Sequence, residues 1–272
     1  MNICMALTPK KGTFAPLLYA GNLDKGIKTA AELGFDGLEL SVRDPAELDQ
    51  SRLARLLHRY SLDLVMVATG QAYLEDGLSF ADTNVESWTV AIKRVKAHID
   101  LASRFQAQVL IGGIRGRLSP DQTLRRAEYR MAVEAMRECA RYAALQGVTL
   151  SVEPINRYET NFINTVEEAL HWISDIDDTG ITVMADTFHM NIEEASFEDA
   201  LRQAGENLSH VHLVDSNRRA PGLGHIDFRT VLQTLRDLNY VGYLCAEILP
   251  VPDDYTAAQQ FVSNVKSLLA NL

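Results

Sequence analysis

Short apolar runs alternate with longer segments of helical periodicity along the whole chain. The runs cover residues 2–7, 36–42, 62–69, 107–114, 148–153, 181–186, 208–214 and 242–247. Between them, apolar residues recur every three or four positions, which is typical of amphipathic helices. Eight strand–helix units in 272 residues predict an α/β protein with a single (β/α)8 TIM barrel, a fold that typically takes about 250 residues.

No internal boundary interrupts this pattern. The chain has no linker, low-complexity tract or change of composition, so we predict one domain over residues 1–272. The main alternative is a doubly wound open sheet, which usually has fewer strands and a glycine-rich first turn. No G-x-G-x-x-G motif follows an early run, and the barrel is therefore favoured.

The alternation within the later runs predicts which residues face the barrel interior. In the run 148–153, aliphatic residues alternate with Thr149, Ser151 and Glu153, and successive side chains of a strand point to opposite faces. In a barrel the aliphatic rows face the helices and the other rows face the interior. A polar residue at the end of such a row should lie at the C-terminal mouth of the barrel, where active sites of this fold occur.

Four ionisable residues reach that mouth on consecutive strands. Glu153, Asp186 and Glu247 each end a run, and His212 stands near the end of its own. Unpaired carboxylates in one cleft would be costly, whereas a divalent cation would neutralise them. Three oxygen donors and one nitrogen donor suit Mn²⁺, Co²⁺ or Mg²⁺. For each carboxylate alone an ion pair or helix cap is favoured, but the coincidence of four strand ends favours a metal. His210 lies one layer deeper and is predicted to be a hydrogen-bonded core residue.

Composition narrows the classes of partner. The chain has 36 acidic and 26 basic residues, a net charge of -10, and such a field repels nucleic acid. Its three widely spaced cysteines are typical of reduced thiols. The sequence shows no secretion signal and no apolar stretch of membrane-spanning length. We therefore expect a cytoplasmic protein that acts on a small molecule, and a homo-oligomer is compatible with the sequence.

Several longer motifs resemble a known superfamily. The segments "EPINRYET", "ADTFHMNIEE", "HVHLVDSNRRAPGLGHIDF" and "AEILP" resemble the sugar isomerase/epimerase superfamily of xylose isomerase-like barrels, and within it the D-tagatose 3-epimerase-like branch. "ATGQAYL", "RGR" and "NRYETNFINT" are similar to a subgroup of 5-keto-L-gluconate epimerase-like proteins, although Ala68 stands where that subgroup is expected to have glycine. The resemblance covers essentially the whole chain and is strongest over residues 149–250.

The resemblance implies a metal-dependent epimerase. It implies that Glu153, Asp186, His212 and Glu247 bind one divalent cation, with Mn²⁺ expected and Co²⁺ or Mg²⁺ as alternatives. It also implies that Glu153 and Glu247 are the proton-transfer pair. A cation at the substrate C2 carbonyl and C3 hydroxyl would acidify the C3 proton. One glutamate would then remove that proton to leave a cis-enediolate, and the other would return a proton to the opposite face.

Further polar residues are predicted to bind the substrate. By resemblance, Glu159, His189 and Arg218 hold substrate oxygens next to the reacting carbons, and Gln71 in "ATGQAYL" joins this set. The alternatives are an ion pair between Glu159 and Arg157, a helix cap at His189 and a solvated charge at Arg218.

Two arginines are candidates for binding the carboxylate of a sugar acid. Arg115 continues the inward row of the run 107–114, and Arg43 ends the segment "LELSVR". A guanidinium forms bidentate pairs with carboxylates, so either arginine would select a keto-uronate over a neutral ketohexose. The alternative for "RGR" is a solvated basic loop.

The predicted function is therefore the inversion of C3 of a ketose or a keto-sugar acid, such as 5-keto-L-gluconate or D-tagaturonate. The first alternative is an aldose–ketose or hydroxypyruvate-type isomerase, which would move protons between C1 and C2 on the same site. An abasic-site endonuclease on the same barrel is more distant, because it needs a basic DNA-binding face and more metal ligands. A non-catalytic sugar-binding protein is disfavoured because both proton-transfer glutamates are present.

Overall fold

Eight parallel strands close into a barrel in the computed structural model, which describes residues 1–272. The strands are β1 Asn2–Leu7, β2 Gly37–Ser41, β3 Asp63–Ala68, β4 Gln108–Ile111, β5 Leu150–Val152, β6 Ile181–Asp186, β7 Leu208–His212 and β8 Tyr243–Ala246. Each strand pairs with the next, and β8 pairs with β1 through the Cys4–Cys245 register. The prediction of a (β/α)8 barrel is confirmed.

Ten α-helices surround the barrel or cap its mouth. They are α1 Leu23–Leu33, α2 Gln50–Tyr60, α3 Gly70–Asp76, α4 Val85–Phe105, α5 Gln122–Gln146, α6 Val166–Ile176, α7 Thr187–Glu193, α8 Phe197–Ala204, α9 Phe228–Asp237 and α10 Asp254–Ala270. Side-chain oxygens cap several N-termini, including Thr165 at α6 and Asp227 at α9. None of the helices has both the length and the apolar character needed to traverse a lipid bilayer.

The two faces of each strand have different environments. Aliphatic residues on the outer face, such as Val152, Val183 and Leu244, are buried in one large core against the helices. The inner face of the deeper layers carries small polar side chains, and Ser151 and Ser209 hydrogen-bond across the interior at 2.8 Å. For β5 to β8 the predicted assignment of rows to the two faces is confirmed, and polar residues at strand ends accordingly reach the mouth. In β4 the assignment is wrong: Val109 and Ile111, expected on the inward row with Arg115, lie in the core against the helices, and Leu110 faces the interior.

The fourth strand is shorter than predicted. The run 107–114 forms a strand only as far as Ile111, and Gly113–Arg115 forms a short 3₁₀ helix. The alternation of faces therefore does not extend to Arg115, and this changes the direction in which its side chain points.

Candidate active site

The four predicted ligands lie together at the C-terminal mouth. Asp186 and His212 are the last residues of β6 and β7, and Glu153 and Glu247 directly follow β5 and β8. One donor atom from each lies within 4.8 Å of the other three. His212 Nδ1 is 3.8 Å from Glu153 Oε1, 3.6 Å from Asp186 Oδ2 and 3.5 Å from Glu247 Oε2. These groups can hold one metal ion.

The chemistry of this cluster fits a divalent cation. His212 Nδ1 is buried without a hydrogen-bond partner, and its distances to the carboxylates are longer than hydrogen bonds. One imidazole nitrogen and three carboxylate oxygens form a donor set suited to Mn²⁺, Co²⁺ or Mg²⁺. A bound cation would supply Lewis-acid polarisation of a substrate carbonyl and would neutralise the carboxylates.

Burial and crowding change the acidity of the carboxylates. Burial raises the pKa of Glu153 to about 8, with Glu247 and Asp186 adding to the effect. Burial likewise raises the pKa of Glu247. Burial also opposes ionisation of Asp186, but Arg218 and neighbouring histidines outweigh it and hold the pKa of Asp186 below its usual value. Without a cation, the two glutamates are therefore protonated more readily than exposed carboxyl groups.

Arg218 connects two of these carboxylates. Its Nη1 donates to Asp186 Oδ2 at 2.7 Å and its Nη2 donates to Glu247 Oε2 at 3.0 Å. The guanidinium carbon lies 4.5 Å from the centre of the Phe188 ring, a cation–π contact. The backbone of Arg218 is left-handed, with a φ of 62°, so the loop after β7 holds this residue in an unusual backbone conformation. The alternative of a solvated charge is excluded.

A second group of polar residues lies beside the glutamates. Asn156 Nδ2 donates to His189 Nδ1 at 2.7 Å and to Glu159 Oε1 at 2.9 Å. His189 Nε2 lies 3.9 Å from Glu153 Oε1, and burial lowers the pKa of His189 to about 3. The neutral ring therefore carries its proton on Nε2, which faces the cleft.

The alternatives for Glu159 and His189 do not hold. Arg157 pairs with Glu193 at 2.7 Å rather than with Glu159, and His189 lies inside α7 rather than at its cap. The sequence analysis did not assign Asn156 to the site. Its position three residues after Glu153, in "EPINRYET", was the available signal.

Six of the predicted site residues line a cleft of about 220 Å³ at the mouth. Its lining includes Glu153, Glu247, Glu159, His189, Arg218 and Gln71, together with Phe14, Ser41, Tyr73, Leu74, Ile155 and Thr160. Gln71 is buried and donates from Nε2 to Thr8 Oγ1 at 2.9 Å. A larger groove of about 1050 Å³ runs over the α5–α6 surface but contains none of the predicted site residues.

The two arginines expected to bind a uronate carboxylate do not line this cleft. Arg115 is fully buried, and its Nε, Nη1 and Nη2 donate to the carbonyls of Phe162, Gly112 and Ile163 at 2.8, 2.7 and 2.9 Å. Arg43 pairs with Asp76 outside the cleft, and its side chain is 45% exposed. The prediction that Arg115 faces the substrate is wrong, because its guanidinium donates to backbone carbonyls, two of which belong to the distant residues Phe162 and Ile163. The role predicted for Arg43 is contradicted by its ion pair and its position.

His210 and Glu39 are buried in the barrel interior below the mouth. His210 is buried, and its Nε2 lies 3.1 Å from Glu39 Oε2, so it is the hydrogen-bonded core residue that was predicted. Glu39 was missed. The available signal was an acidic residue in the middle of the run 36–42, on the row that faces inward.

Comparisons with known proteins show which family this chain resembles. A family model described as xylose isomerase-like TIM barrel matches residues 27–265. The D-psicose 3-epimerase of Enterocloster bolteae is 32% identical over 230 residues, covering 82% of this chain and 74% of that protein. The L-ribulose 3-epimerase of Mesorhizobium japonicum is 34% identical over 228 residues, covering 83% and 75%. The crystal structure of a D-allulose 3-epimerase from Methylomonas sp. in complex with D-allulose matches with a TM-score of 0.80 at 23% identity, covering 98% of this chain and 97% of the other.

Proposed function

The chain belongs to the xylose isomerase-like TIM barrel family, and on that premise we propose that it is a divalent-metal-dependent 3-epimerase of open-chain ketoses. The observation that carries the proposal is the buried cluster of Glu153, Asp186, His212 and Glu247. Two of its members, Glu153 and Glu247, also line the cleft. Its relatives are named for 3-epimerisation of D-psicose and L-ribulose, which supports the reaction class. Mn²⁺ is the proposed cation, with Co²⁺ or Mg²⁺ as alternatives, because a donor set of three oxygens and one nitrogen suits these ions.

The two glutamates would exchange roles during turnover. One, as a carboxylate, accepts the proton from C3 of the substrate, and the other, as a carboxylic acid, donates a proton to the opposite face of C3. Burial raises the pKa of both groups in the metal-free site, and a bound cation would favour the carboxylate form that accepts the proton. After inversion the first glutamate is protonated and the second is ionised, so reaction in the reverse direction restores the starting state.

The polar residues beside the glutamates would bind and orient the substrate. Asn156 donates a hydrogen bond to His189 Nδ1, so the Nε2–H of His189 is free to donate to a substrate oxygen near Glu153. Glu159 and Gln71 line the same cleft and offer further hydrogen bonds to hydroxyl groups. Arg218 adds a positive charge beside Glu247, where it would stabilise negative charge that develops on substrate oxygen.

A keto-sugar acid is a second candidate substrate. The segments "ATGQAYL" and "NRYETNFINT", which resemble the 5-keto-L-gluconate epimerase-like subgroup, contribute Gln71, Tyr73, Glu159 and Thr160 to the cleft wall. A uronate carboxylate would pair with a cationic group. Arg218 is the arginine that lines this cleft, so this version of the proposal reassigns the contact from Arg115 and Arg43 to Arg218.

Isotope exchange distinguishes these functions. The Mn²⁺-loaded protein would be incubated in D₂O with a panel of ketohexoses, ketopentoses and keto-uronates, and products analysed by NMR. We expect deuterium at C3 together with the C3 epimer, and the kcat/KM values rank neutral ketoses against keto-uronates. Label at C1 or C2 with formation of an aldose would replace the proposal by a sugar isomerase. Incision of a duplex containing an abasic site would replace it by an endonuclease.

Substitution of the glutamates tests the proposed chemistry. Glu153→Gln and Glu247→Gln should each lower kcat by at least about 10²-fold, the usual contribution of a positioned acid or base, with a smaller effect on substrate binding. If a large excess of Mn²⁺ restores full turnover to either variant, that residue is a ligand and not a proton-transfer group.

A further inference from the structure

An acidic side chain lies in the barrel interior beneath the cluster of four ligands. Glu39 stands in the middle of β2, has no exposed surface and belongs to none of the four strands that carry the ligands. Its Oε2 accepts hydrogen bonds from His212 Nε2 at 3.0 Å and from His210 Nε2 at 3.1 Å. One oxygen atom therefore contacts both histidines of β7, whose rings are nearly perpendicular, at 83°.

The hydrogen bond from His212 decides which of its nitrogens can bind a cation. A neutral imidazole has one N–H and one lone pair. If Nε2–H donates to Glu39, the lone pair is on Nδ1, which is the atom that faces Glu153, Asp186 and Glu247. In the other tautomer a proton would occupy the position that a cation needs. A carboxylate behind a metal-binding histidine is a common way to fix ring orientation and increase ligand basicity.

The energetic cost of Glu39 argues that the residue has a role. Glu39 Oε1 is buried without a hydrogen-bond partner, so the contacts of Oε2 with the two histidines compensate only part of the cost of burying this carboxyl. Its strand neighbours are Ala6 and Met66, so the surrounding interior accommodates uncharged side chains. A buried charge persists only when it is paired, and the partner here is a residue of the candidate metal site.

We propose that Glu39 is a positioning residue that fixes the ring orientation and tautomer of His212 for a divalent cation, with His210 holding Glu39 in place. This inference rests on the proposed function, because it assigns Glu39 to the cation of that same site. Glu39 does not line the cleft and is not expected to contact the substrate.

The first test measures metal binding without turnover. Chelator-treated protein would be titrated with Mn²⁺, with free Mn²⁺ followed by electron paramagnetic resonance. Glu39→Gln keeps the shape but loses the charge, and we expect its Kd for Mn²⁺ to rise about 10- to 100-fold, as for other residues that support a metal ligand. Ser151→Ala, which removes a different interior hydrogen bond, is the matched control and should leave the Kd unchanged.

The second test observes the tautomer directly. Histidine ¹⁵N chemical shifts of the metal-free protein, recorded at a pH at which the His212 ring is neutral, should report His212 as the Nε2–H form in the wild type and a mixture of forms in Glu39→Gln. His210→Phe removes the other donor to Glu39 and should give a smaller rise in Kd than Glu39→Gln. If Glu39→Gln does not fold, His210→Phe and Glu39→Asp decide the question by the same two measurements.

Three results would overturn the inference. One is an unchanged Mn²⁺ affinity and tautomer in Glu39→Gln. Another is a lower melting temperature of the metal-free variant with an unchanged Kd, which would make Glu39 a purely structural residue. The third concerns Cys245, which lies with Glu39, His210 and His212 in a second potential metal cluster. A second tight equivalent of Zn²⁺ that Cys245→Ser abolishes would mean that this cluster itself binds metal. A protein that binds Mn²⁺ as expected but epimerises no ketose would contradict the proposed function alone.

Discussion

Gly112 leaves no space for a side chain beside Glu153. A Cβ atom at this position would lie 2.7 Å from Glu153 Oε2 and 3.1 Å from Leu110 Cδ2, closer than van der Waals contact permits. Because Glu153 is confined between this backbone and the other ligands, added volume at Gly112 has to displace the carboxylate. A displacement of about 1 Å in a reacting group can cost orders of magnitude in rate.

We therefore expect Gly112→Ala to lower kcat at least tenfold, or about 1.4 kcal/mol in the activation barrier, with a smaller change in KM. The matched control is Gly113→Ala, whose Cβ would meet Tyr73 Cδ1 at 2.9 Å instead of a glutamate. Since Tyr73 lines the cleft, that variant should change KM more than kcat. Steady-state kinetics of both variants provide the comparison, and equal effects on kcat would contradict the steric argument.

The contact between Asn156 and His189 can be tested by a single substitution. Asn156→Ala removes the donor that fixes His189 Nδ1, so the ring can place its proton on either nitrogen. We expect kcat/KM to fall about tenfold, a loss of about 1.4 kcal/mol, while the Mn²⁺ affinity stays unchanged because Asn156 is not one of the four ligands. Arg157→Ala, which removes an adjacent ion pair to Glu193, is the control. Equal losses in the two variants would assign the effect to the loop as a whole.

The loop after β7 depends on one carboxylate for its shape. Asp215 accepts backbone N–H groups from Ser216, Gly222, Gly224 and Ile226 at 2.7 to 3.2 Å. Burial opposes ionisation of Asp215, but these hydrogen bonds hold its pKa below the usual value. The same turn contains Arg218, whose N–H donates to the Asp215 carbonyl at 2.8 Å. Asp215 thus links the backbone of the loop to the position of the arginine in the cleft.

Replacement of Asp215 by asparagine should affect both stability and turnover. An amide group cannot accept from all four N–H donors, and an unsatisfied buried donor costs about 1–3 kcal/mol. We expect Asp215→Asn to lower the free energy of unfolding by that amount at pH 7 and to lower kcat through a displaced Arg218. The N-cap variant Asp227→Asn should leave kcat unchanged, so a similar loss of kcat there would contradict the link to Arg218.

The loss of stability in Asp215→Asn should depend on pH. Because the pKa of Asp215 is lower in the folded protein than in the unfolded chain, ionised Asp215 stabilises the fold above about pH 4. That contribution is lost as the pH falls through the lowered pKa. The stability difference between wild type and Asp215→Asn should therefore shrink on acidification, as measured by urea unfolding at pH 7 and below pH 4. A difference that grows at low pH would contradict this account.

The whole barrel should respond to the cation, because the four ligands belong to four consecutive strand ends. A cation that binds only the folded state stabilises it by mass action, by about 2.7 kcal/mol at a concentration 100-fold above Kd. For a chain of this size that corresponds to a rise in Tm of roughly 5 °C. We expect chelation to remove this rise and Asp186→Asn to abolish the response to Mn²⁺. Asp76→Asn, which alters a carboxylate outside the cleft, should retain the response, and its loss there would argue against a localised site.

Local periodicity in the sequence was sufficient to predict the strands and the residues at their ends. Strand alternation is a property of consecutive residues, so the eight runs, the inward rows of β5 to β8 and the strand-end positions of Glu153, Asp186, His212 and Glu247 could be inferred without coordinates. The motifs around those residues also indicated the family, and the match of its model to residues 27–265 confirms it.

The hydrogen bonds of Arg115 and Glu39, in contrast, became visible only in the folded barrel. The alternation of β4 did not predict the direction of the Arg115 side chain, because the strand ends at Ile111. The guanidinium instead donates to the carbonyls of Phe162 and Ile163. Glu39 could be assigned to the interior but not to His212, since a contact between β2 and β7 crosses the closed barrel. Both outcomes depend on groups far apart in the chain whose approach is set by barrel closure, which local sequence patterns do not encode.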